Sequence, residues 1–501
     1  LQNTLDNLQV LMIDWLVIIG YGLSLSLIFL FSLGQLHLAI RYRKSKKLTP
    51  AKIVPLTEFP LVTVQLPIYN ELYVVERLIR QVCLLDYPKD KLEIQVLDDS
   101  DDETCVVVDN LVEEYKKKGF DIKVLHRQER TGFKAGALQN GLEQARAEFI
   151  AIFDADFLPD PQFLKETLPH FTTPKVGMVQ TRWGHLNRNY SWLTKLQAFG
   201  LDAHFSVEQT GRSASGSFIN FNGTGGIWRK ACIVDGGGWT ADTLTEDLDL
   251  SYRAQLKGWH FTFLENVESP AELPILMPAV KSQQYRWNKG AAETARKNLG
   301  AVLTSALPLK NKLHAVQHLL NSSLFFFLFT ASLLSLPLLY TMNHLPTFST
   351  LFNAASVFVL GFLFVSYFYW VASGSSFPKK TLKYFLVHFP MFITFSMGMS
   401  LHNAIAVLEG WLGIKTPFLR TPKFNVLKDQ ISWKTNKYVN WKLTPAIIVE
   451  GLLAVYFAFG LWSAFYLSDF GLIFFHLMLT IGFGGIFLLS IKPYGFAASK
   501  G

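Results

Sequence analysis

Hydrophobic residues are concentrated in long segments at the two ends of the chain, and this division constrains the fold more than any other feature. Residues 15–36 are uncharged, and residues 319–341, 351–372, 446–467 and 472–491 are nearly so. Each segment is about 20 residues long, enough to cross the roughly 30 Å hydrocarbon core of a bilayer. The stretch between the first and second segments has an ordinary content of charged residues. The sequence therefore predicts an integral membrane protein with five spans and a soluble domain.

Basic residues predict which way the chain crosses the membrane. Five of them follow the first span between positions 41 and 47, so the positive-inside rule places that end in the cytoplasm. The soluble domain is then cytoplasmic, the N-terminus lies outside and the C-terminus inside. The apolar residues 386–412 have cations on both flanks, which favours an interfacial or re-entrant helix over a crossing. Glu450 and His476 lie inside spans and should face protein.

The formal net charge of +8 has several explanations. Membrane topology and anionic lipid headgroups both account for it, and so does an anionic substrate. Nucleic acid binding is excluded as a main function, because so much of the chain is apolar and suited to a bilayer. Cys83, Cys105 and Cys232 lack metal-binding or redox spacing, so we expect reduced structural thiols.

The soluble part alternates between strand and helix patterns, which is typical of a mostly parallel α/β sheet. We predict strands at residues 61–67, 92–97, 122–125 and 149–153. Open α/β sheets bind ligands at the carboxyl ends of their strands. The polar residues that follow the first, second and fourth strands should therefore meet there: Tyr69, Glu71, Asp98, Asp99, Asp154 and Asp156.

The carboxylates of Asp154 and Asp156 share one face of the chain because strand side chains alternate with a period of two. Two hard oxygen ligands suit Mg²⁺ or Mn²⁺, with a diphosphate completing the coordination. An isolated Asp-x-Asp is also common among solvated loop carboxylates. The sequence predicts a divalent metal site here because three further motifs accompany the pair.

Residues 245–247, Thr-Glu-Asp, precede an amphipathic run. Thr245 suits a helix N-cap, and Glu246 and Asp247 suit the first turn, where acidic side chains are favourable. Either this is capping alone, or one carboxylate is a general base for a hydroxyl nucleophile.

Residues 283–287 place a guanidinium beside an indole, just before the second apolar region. Arg286 is suited to a leaving diphosphate, and Trp287 to stacking on a sugar face. Trp287 alone would also fit an aromatic belt at the membrane surface, but the ordered Gln283-x-x-Arg286-Trp287 set would not.

Four motifs occur in one order along the chain: Asp98-Asp99 and residues 154–156, 245–247 and 283–287. Their order and approximate spacing resemble those of the processive family 2 glycosyltransferases. The layout is similar to bacterial cellulose synthase, and segments such as residues 132–138 resemble plant cellulose-synthase-like A and C proteins more closely still. The resemblance implies a cytosolic GT-A-type α/β domain joined to an α-helical transmembrane channel domain with interfacial helices.

The resemblance also implies a role for each matching position. For the donor, it implies base and ribose contacts at Tyr69, Glu71, Asp98 and Asp99, nucleotide-sugar contacts at Lys134 and Asp154, and metal ligands at Asp156 and Asp154. For the reaction, it implies a general base at Asp247 beside Glu246, and diphosphate and acceptor contacts at Gln283, Arg286 and Trp287. It also implies an acceptor-flanking loop at Phe221, Asn222, Gly223 and Thr224, and a gating-loop-like segment that carries Phe418, Thr421 and Lys423.

The implied domains are an N-terminal membrane anchor at residues 1–40, a glycosyltransferase domain at 41–310 and a membrane channel domain at 311–501. The last would include an interfacial helix at about 382–412 and the gating-loop-like segment at about 415–430. These domain bounds are expectations from the sequence.

The implied activity is polymerisation of a β-linked glucan or glucomannan-like polysaccharide, secreted through the protein's own channel. UDP-glucose is the expected donor and GDP-mannose the second choice; the growing polysaccharide is the acceptor. A non-processive lipid (ceramide-type) glucosyltransferase is an alternative with the same motifs. A transporter or receptor with a nucleotide-sensing domain would explain the spans but not Asp247 or residues 283–287.

Overall fold

The computed structural model describes residues 2–48, 55–344, 358–416, 421–425, 436–439 and 443–498. Its soluble part is built on a seven-stranded sheet with the order β3-β2-β1-β4-β6-β5-β7. The strands are β1 (Val62–Ile68), β2 (Leu92–Asp98), β3 (Asp121–His126), β4 (Phe149–Ile152), β5 (Val176–His185), β6 (Gly226–Arg229) and β7 (His260–Ala271).

The sheet is mostly parallel, as the sequence predicts. β1 pairs in parallel with β2 and β4, β2 pairs in parallel with β3, and β5 pairs in parallel with β7. Only β6 runs antiparallel to its neighbours, β4 and β5. The four predicted strands are confirmed, whereas β5, β6 and β7 were not predicted. Because β1, β2 and β4 run in the same direction, the residues that follow them meet at one edge.

Helices cover both faces of this sheet, which explains why β2 is buried along its whole length. One face carries the first two crossover helices, and the other carries the helices that follow β3 and precede β7. The helices of the soluble part are α2 (Val75–Val82), α3 (Thr104–Lys117), α4 (Phe133–Gln144), α5 (Phe163–Thr167), α6 (Trp192–Asp202), α7 (Gln209–Ser213), α8 (Lys230–Asp235), α9 (Glu246–Leu256) and α10 (Met277–Thr304), and helix α1 (Gln2–Ser45) precedes them.

Five helices of the described part are long and apolar enough to cross a membrane, which agrees with the predicted number. Their apolar ranges are Met12–Ser45, Asn321–Asn343, Val359–Ser376, Pro445–Tyr466 and Ile473–Ile491. Length and composition support the spans, and their sidedness stays a prediction. The helices of this region are α11 (Leu309–Leu319), α12 (Leu324–His344), α13 (Val359–Ser376), α14 (Thr381–Gly398), α15 (Ser400–Leu412), α16 (Pro445–Tyr466) and α17 (Ile473–Ala498).

The apolar segment predicted to be interfacial or re-entrant forms two helices, α14 and α15, bent by 53° at their junction. Such a pair is either a broken span or a re-entrant hairpin, so a single straight crossing does not describe it. Helix α15 packs along α10, the helix that carries residues 283–287. The bend therefore places the second half of the pair against the soluble domain.

Both ionisable residues inside spans face protein, as the sequence predicts. Glu450 of α16 accepts a hydrogen bond from Lys281 Nζ of α10 at 2.6 Å, and Glu450 is fully buried. His476 Nε2 lies 2.9 Å from Ser335 Oγ. The Lys281–Glu450 ion pair therefore joins the soluble domain to a membrane helix, and it does so in a region sheltered from water.

We expect Glu450→Ala to lower the stability of the detergent-solubilised protein strongly, since it leaves the Lys281 ammonium buried without its partner. Removal of one member of a buried pair costs about 3–5 kcal/mol, whereas apolar replacement of both members is often neutral. Thermal unfolding monitored by size-exclusion chromatography should therefore show a lower midpoint for Glu450→Ala and recovery in Lys281→Met/Glu450→Leu. Glu113→Ala, which removes a surface pair with Lys116, is the control and should change little. A midpoint for Glu450→Ala equal to that of the control would contradict the expectation.

Candidate active site

A cavity of about 200 Å³ opens at the carboxyl edge of the sheet, where β1, β2 and β4 end. Its wall combines residues that are widely separated along the chain, including residues of α9 and α10 together with Thr421 and Lys423. The predicted site residues that line it are Tyr69, Glu71, Asp99, Lys134, Asp154, Asp156, Asn222, Gly223, Glu246, Asp247, Gln283, Arg286, Trp287, Thr421 and Lys423.

Three predicted residues lie behind the cavity wall. Asp98 is 1% exposed, and its carboxylate accepts a hydrogen bond from the Ser100 backbone N–H at 3.0 Å. Phe221 is fully buried against Trp228 in the core. Thr224 Oγ1 accepts a hydrogen bond from the Asp154 backbone N–H at 2.9 Å, so it fixes the start of the Asp-x-Asp turn. These side chains support the wall rather than line it, because each is directed into the packed core.

Phe418 lies outside the described residues, as do its neighbours at 417–420. The described part of that segment, 421–425, is firmly seated beside the cavity. Thr421 accepts a hydrogen bond from Arg286 Nη2 at 2.6 Å, and the Phe424 N–H donates to Glu272 Oε1 at 2.7 Å. Two elements far apart in sequence, α10 and this segment, are thus joined at the site.

Each carboxylate of the Asp-x-Asp pair is neutralised by a lysine. Lys134 Nζ lies 2.6 Å from Asp154 Oδ1, and Lys423 Nζ lies 2.6 Å from Asp156 Oδ2. Burial alone would lower the pKa of Lys134, but Asp154, Glu246 and Asp247 raise it above its usual value. Lys134 is therefore a cation fixed in the cavity wall, and such a cation can donate charge-assisted hydrogen bonds to an anionic ligand.

The Asp-x-Asp pair fits a hard divalent cation by its chemistry. Both side chains offer only oxygen ligands, as Mg²⁺ and Mn²⁺ prefer. Among the described residues, no group of three or more His, Cys, Asp or Glu side chains could hold a metal ion. Asp154 and Asp156 would therefore supply two ligands, and the substrate diphosphate and water would supply the others.

Glu246 and Asp247 occupy the first turn of α9, as the sequence predicts. The capping role expected of the Thr245 side chain is wrong: within the described part of the chain it makes no capping bond. Its hydroxyl instead pairs with Thr294 Oγ1 of α10 at 3.1 Å. Because α10 crosses directly over the N-terminus of α9, contact between the helices takes the place of local capping.

The pKa of the Asp247 carboxyl is shifted upward in the cavity. Desolvation by burial and the neighbouring Glu246 charge raise the pKa of Asp247 to about 7, although Lys134 opposes them. Both effects disfavour a second negative charge in a cavity that water enters poorly. A carboxylate with a pKa near neutrality is well matched to general-base chemistry.

Gly223 allows the sides of the cavity that carry Lys134 and Asp247 to approach each other. A Cβ at this position would lie 3.0 Å from Asp247 Oδ2 and 3.4 Å from Lys134 Nζ, and the backbone φ is +83°. Lys134 Nζ also donates to the Gly223 carbonyl at 2.9 Å. The left-handed φ favours glycine, and the absence of a side chain leaves room where the reacting groups converge.

Two further groups of cavity residues were missed by sequence reasoning. The guanidinium of Arg130 lies 3.2 Å from the ring centroid of Tyr69, and Arg127 forms an ion pair with Asp99. Both arginines follow β3, whose carboxyl end points to the same edge, so the predicted third strand already contained the signal. Trp183 on β5 also lines the cavity, 6.3 Å from the ring centre of Trp287. It was missed because β5 itself was not predicted.

A second cavity of about 180 Å³ shares Leu201, Gln283 and Trp287 with the first. It extends toward the membrane helices, where Phe325 of α12 and Phe392 of α14 contribute to its wall. Its lining includes aromatic rings and side-chain amides, which are groups suited to sugars. The two cavities are therefore neighbours that share part of their walls, one beside the carboxylates and the other beside the membrane helices.

Residues 60–294 match the family described as "Glycosyltransferase like family 2". Three plant proteins are similar to this chain. The "Probable glucomannan 4-beta-mannosyltransferase 2" of Oryza sativa subsp. japonica is 38% identical over 364 residues, 71% of this chain and 60% of the relative. The glucomannan 4-beta-mannosyltransferase 1 of Cyamopsis tetragonoloba is 43% identical over 268 residues, 52% of this chain and 50% of that protein. The glucomannan 4-beta-mannosyltransferase 2 of Arabidopsis thaliana is 43% identical over 246 residues, 48% of this chain and 46% of that protein.

The chain spans only about half to 60% of the length of these relatives. Among solved structures, a mannosyltransferase from Pyrobaculum calidifontis in complex with GDP-Man and Mn²⁺ superposes with a TM-score of 0.52 at 22% identity. The match covers 72% of this chain and 99% of that one, and it shows a shared fold. The family match, the GT-A-like sheet and the plant relatives confirm the resemblance stated from the sequence: residues 60–294 form a glycosyltransferase family 2 domain, similar to that of the plant glucomannan 4-beta-mannosyltransferases.

Proposed function

We propose that the protein transfers mannose from GDP-mannose to a growing β-linked mannan or glucomannan chain. One observation carries the proposal: Asp154, Asp156, Asp247 and Arg286, from three separate elements, converge on one cavity. Two facts favour mannose as the sugar. The plant relatives are named as glucomannan 4-beta-mannosyltransferases, and the structural neighbour holds GDP-Man. UDP-glucose, the donor first expected from the sequence, receives no support from these relatives.

The reaction that suits this geometry is a single inverting displacement. The acceptor hydroxyl gives its proton to Asp247 while its oxygen attacks the anomeric carbon of an α-linked nucleotide sugar. The bond from that carbon to the diphosphate oxygen breaks, and a β-linkage forms. Asp247 suits the role because its raised pKa lets it accept the proton and release it again near neutral pH.

The cations of the cavity would stabilise the leaving diphosphate. Arg286 from α10, Lys134 from α4 and Lys423 all lie on its wall, fixed in place before the charge develops. Such preorganised charge is among the largest contributions to catalysis. A divalent cation held by Asp154 and Asp156 would neutralise part of the same charge when bound. Lys423 would exchange its present partner, Asp156, for the diphosphate.

The nucleoside would lie at the Tyr69 end of the cavity, with Glu71 and Asp99 nearby. The acceptor would lie at the opposite end, between Asn222 and Trp287, and the growing chain would continue into the second cavity. We further propose that the catalytic domain is cytoplasmic, that the N-terminus lies outside, and that the polysaccharide leaves between the membrane helices. The basic residues after the first span and the wall that the two cavities share support this arrangement.

The donor can be identified by offering the purified protein GDP-mannose, UDP-glucose and GDP-glucose separately. We expect ethanol-insoluble polymer from GDP-mannose that a β-1,4-mannanase digests, because the relatives act on mannose. Polymer from UDP-glucose alone would refute the proposed donor. Product found only in a lipid extract would instead support a lipid glycosyltransferase.

Asp247→Asn should lower kcat by about 100-fold or more while leaving GDP binding nearly unchanged, since general-base assistance contributes on that order. The base must be deprotonated, so wild-type kcat/KM should fall as the pH drops below about 7. Glu246→Gln should move this acidic limb to lower pH, because it removes the negative charge that raises the pKa of Asp247. An unchanged limb in Glu246→Gln would assign the titration to another group.

Chelation by EDTA should abolish polymer synthesis, and Mg²⁺ or Mn²⁺ should restore it better than Zn²⁺, because the ligands are oxygens only. Calorimetry should also show Mn²⁺ binding in the presence of GDP that is lost in Asp156→Asn. Asp160→Asn, a nearby exposed carboxylate, serves as the matched control and should bind Mn²⁺ normally. Full activity in chelator would remove the metal from the mechanism.

A further inference from the structure

A π-helical turn lies beside the acceptor end of the cavity. The helix that begins at Trp192 continues to Ser213, but residues Ala203–Glu208 form a π-helix between α6 and α7. Such insertions are rare and occur frequently at functional sites. The side chains of His204 and Glu208 on this wide turn face one another.

His204 connects this turn to the cavity wall. Its Nδ1 lies 2.7 Å from Glu208 Oε2, and its Nε2 lies 3.1 Å from Asn222 Nδ2. Burial alone would raise the pKa of Glu208, but Arg212 and His204 hold it well below its usual range. Glu208 is therefore an ionised acceptor, and the Nδ1 atom of His204 must donate to it.

Neighbouring bonds fix the orientation of Asn222. Gln209 Nε2 donates to the Asn220 carbonyl at 3.0 Å and to Asn222 Oδ1 at 2.7 Å. The Asn220 carbonyl can only accept a hydrogen bond, so the Gln209 atom that contacts both this carbonyl and Asn222 must be the NH₂ nitrogen. Asn222 must then present its NH₂ group to His204 Nε2, which has to be an acceptor. The hydrogen-bond pattern therefore places a proton of His204 on Nδ1 and makes Nε2 the acceptor.

The Asn222 backbone is held independently of its side chain. Its N–H donates to Gln180 Oε1 at 3.0 Å, and the next residue, Gly223, lies against Lys134 and Asp247. The amide of Asn222 has two N–H groups, of which His204 accepts one. The other can be donated to an oxygen atom of a ligand in the cavity that Asn222 lines.

The same chain of hydrogen bonds reaches the first membrane helix. Gln35 Nε2 of α1 donates to Glu208 Oε1 at 2.8 Å. The path therefore runs from Gln35 through Glu208 and His204 to Asn222. Gln35 and Glu208, which form its first hydrogen bond, are 173 residues apart in the sequence. A membrane helix thereby contributes to the position of an active-site amide.

We propose that His204 is a positioning residue, which holds Asn222 so that its free N–H donates to a hydroxyl oxygen of the acceptor sugar. This inference rests on the proposed function, because it assigns the Asn222 end of the cavity to the acceptor. His204 itself touches no substrate. Its role is to fix the rotamer and the amide orientation of Asn222 beside Asp247. Glu208 and Gln35 in turn hold His204 in place through their hydrogen bonds.

The test compares His204→Gln with His204→Leu. The Gln side chain can place an oxygen acceptor near the position of Nε2, whereas Leu has similar bulk and no acceptor. We expect His204→Leu to raise the KM for β-1,4-mannotetraose by about tenfold, the usual scale for one lost buried hydrogen bond. GDP affinity should stay the same, and His204→Gln should recover most of the loss. His260→Leu, at the exposed start of β7 and at the opposite end of that strand from the cavity, is the control for handling and folding.

A double-mutant cycle identifies the contact. If His204 acts through Asn222, the effects of His204→Leu and Asn222→Ala on acceptor KM should not add. This inference would be overturned by additive effects on the acceptor KM, by an equal rise of that KM in His204→Gln and His204→Leu, or by a parallel loss of GDP affinity. If the wild-type protein still makes polymer, each of these outcomes leaves the proposed function intact. Absence of any polymer from wild-type protein and GDP-mannose would overturn both.

Discussion

Helix α10 joins the catalytic cavity to the membrane helices, and buried lysines hold that junction. Lys281 pairs with Glu450 of α16, while the fully buried Lys289 pairs with Glu409 of α15 at 3.2 Å. A buried ammonium tolerates little displacement from its partner, because separation would leave a charge without compensation. Arg286 and Trp287 lie between these two lysines on the same helix, so their position in the cavity depends on how α10 is attached to the membrane region. These two ion pairs therefore attach the soluble domain to the membrane helices through α10.

Charge balance is the second constraint on the site. The cavity wall carries the carboxylates of Asp154, Asp156, Glu246 and Asp247. Lys134 and Lys423 each form an ion pair with one member of the Asp-x-Asp pair. Burial raises the pKa of Glu246 and that of Asp247, and the neighbouring Glu246 charge raises the pKa of Asp247 further. The cavity therefore combines two carboxylates held by lysines with two carboxylates whose proton affinity is raised.

Local sequence predicted much of the soluble domain because its strands are apolar and end in recognisable polar groups. The strands at 62–68 and 92–98 follow from hydrophobic residues that alternate with polar ones, and the meeting of the polar groups after them follows from the parallel arrangement. The strand at 176–185 was missed, because its second half, including Trp183, mixes polar and aromatic residues without a clear period. Arg130 follows the predicted third strand, so its place at the carboxyl edge of the sheet could have been predicted. Its contact with the ring of Tyr69, 61 positions earlier in the chain, could not, because no short-range pattern reports such a pair.

The sequence by itself determined the division into soluble and membrane parts, the position of the Asp-x-Asp turn, and the chemical types of the site residues, since hydropathy and strand period are local properties. Only the tertiary structure decided which residues meet. It directed Phe221 and Thr224 into the core, placed Asn222 and Gly223 in the cavity, and replaced capping by Thr245 with a contact to α10. It also placed Lys423 on Asp156, a pair separated by 267 residues. The physical reason is that burial and charge compensation depend on the whole packed chain, and a residue's neighbours in space supply most of its electrostatic environment.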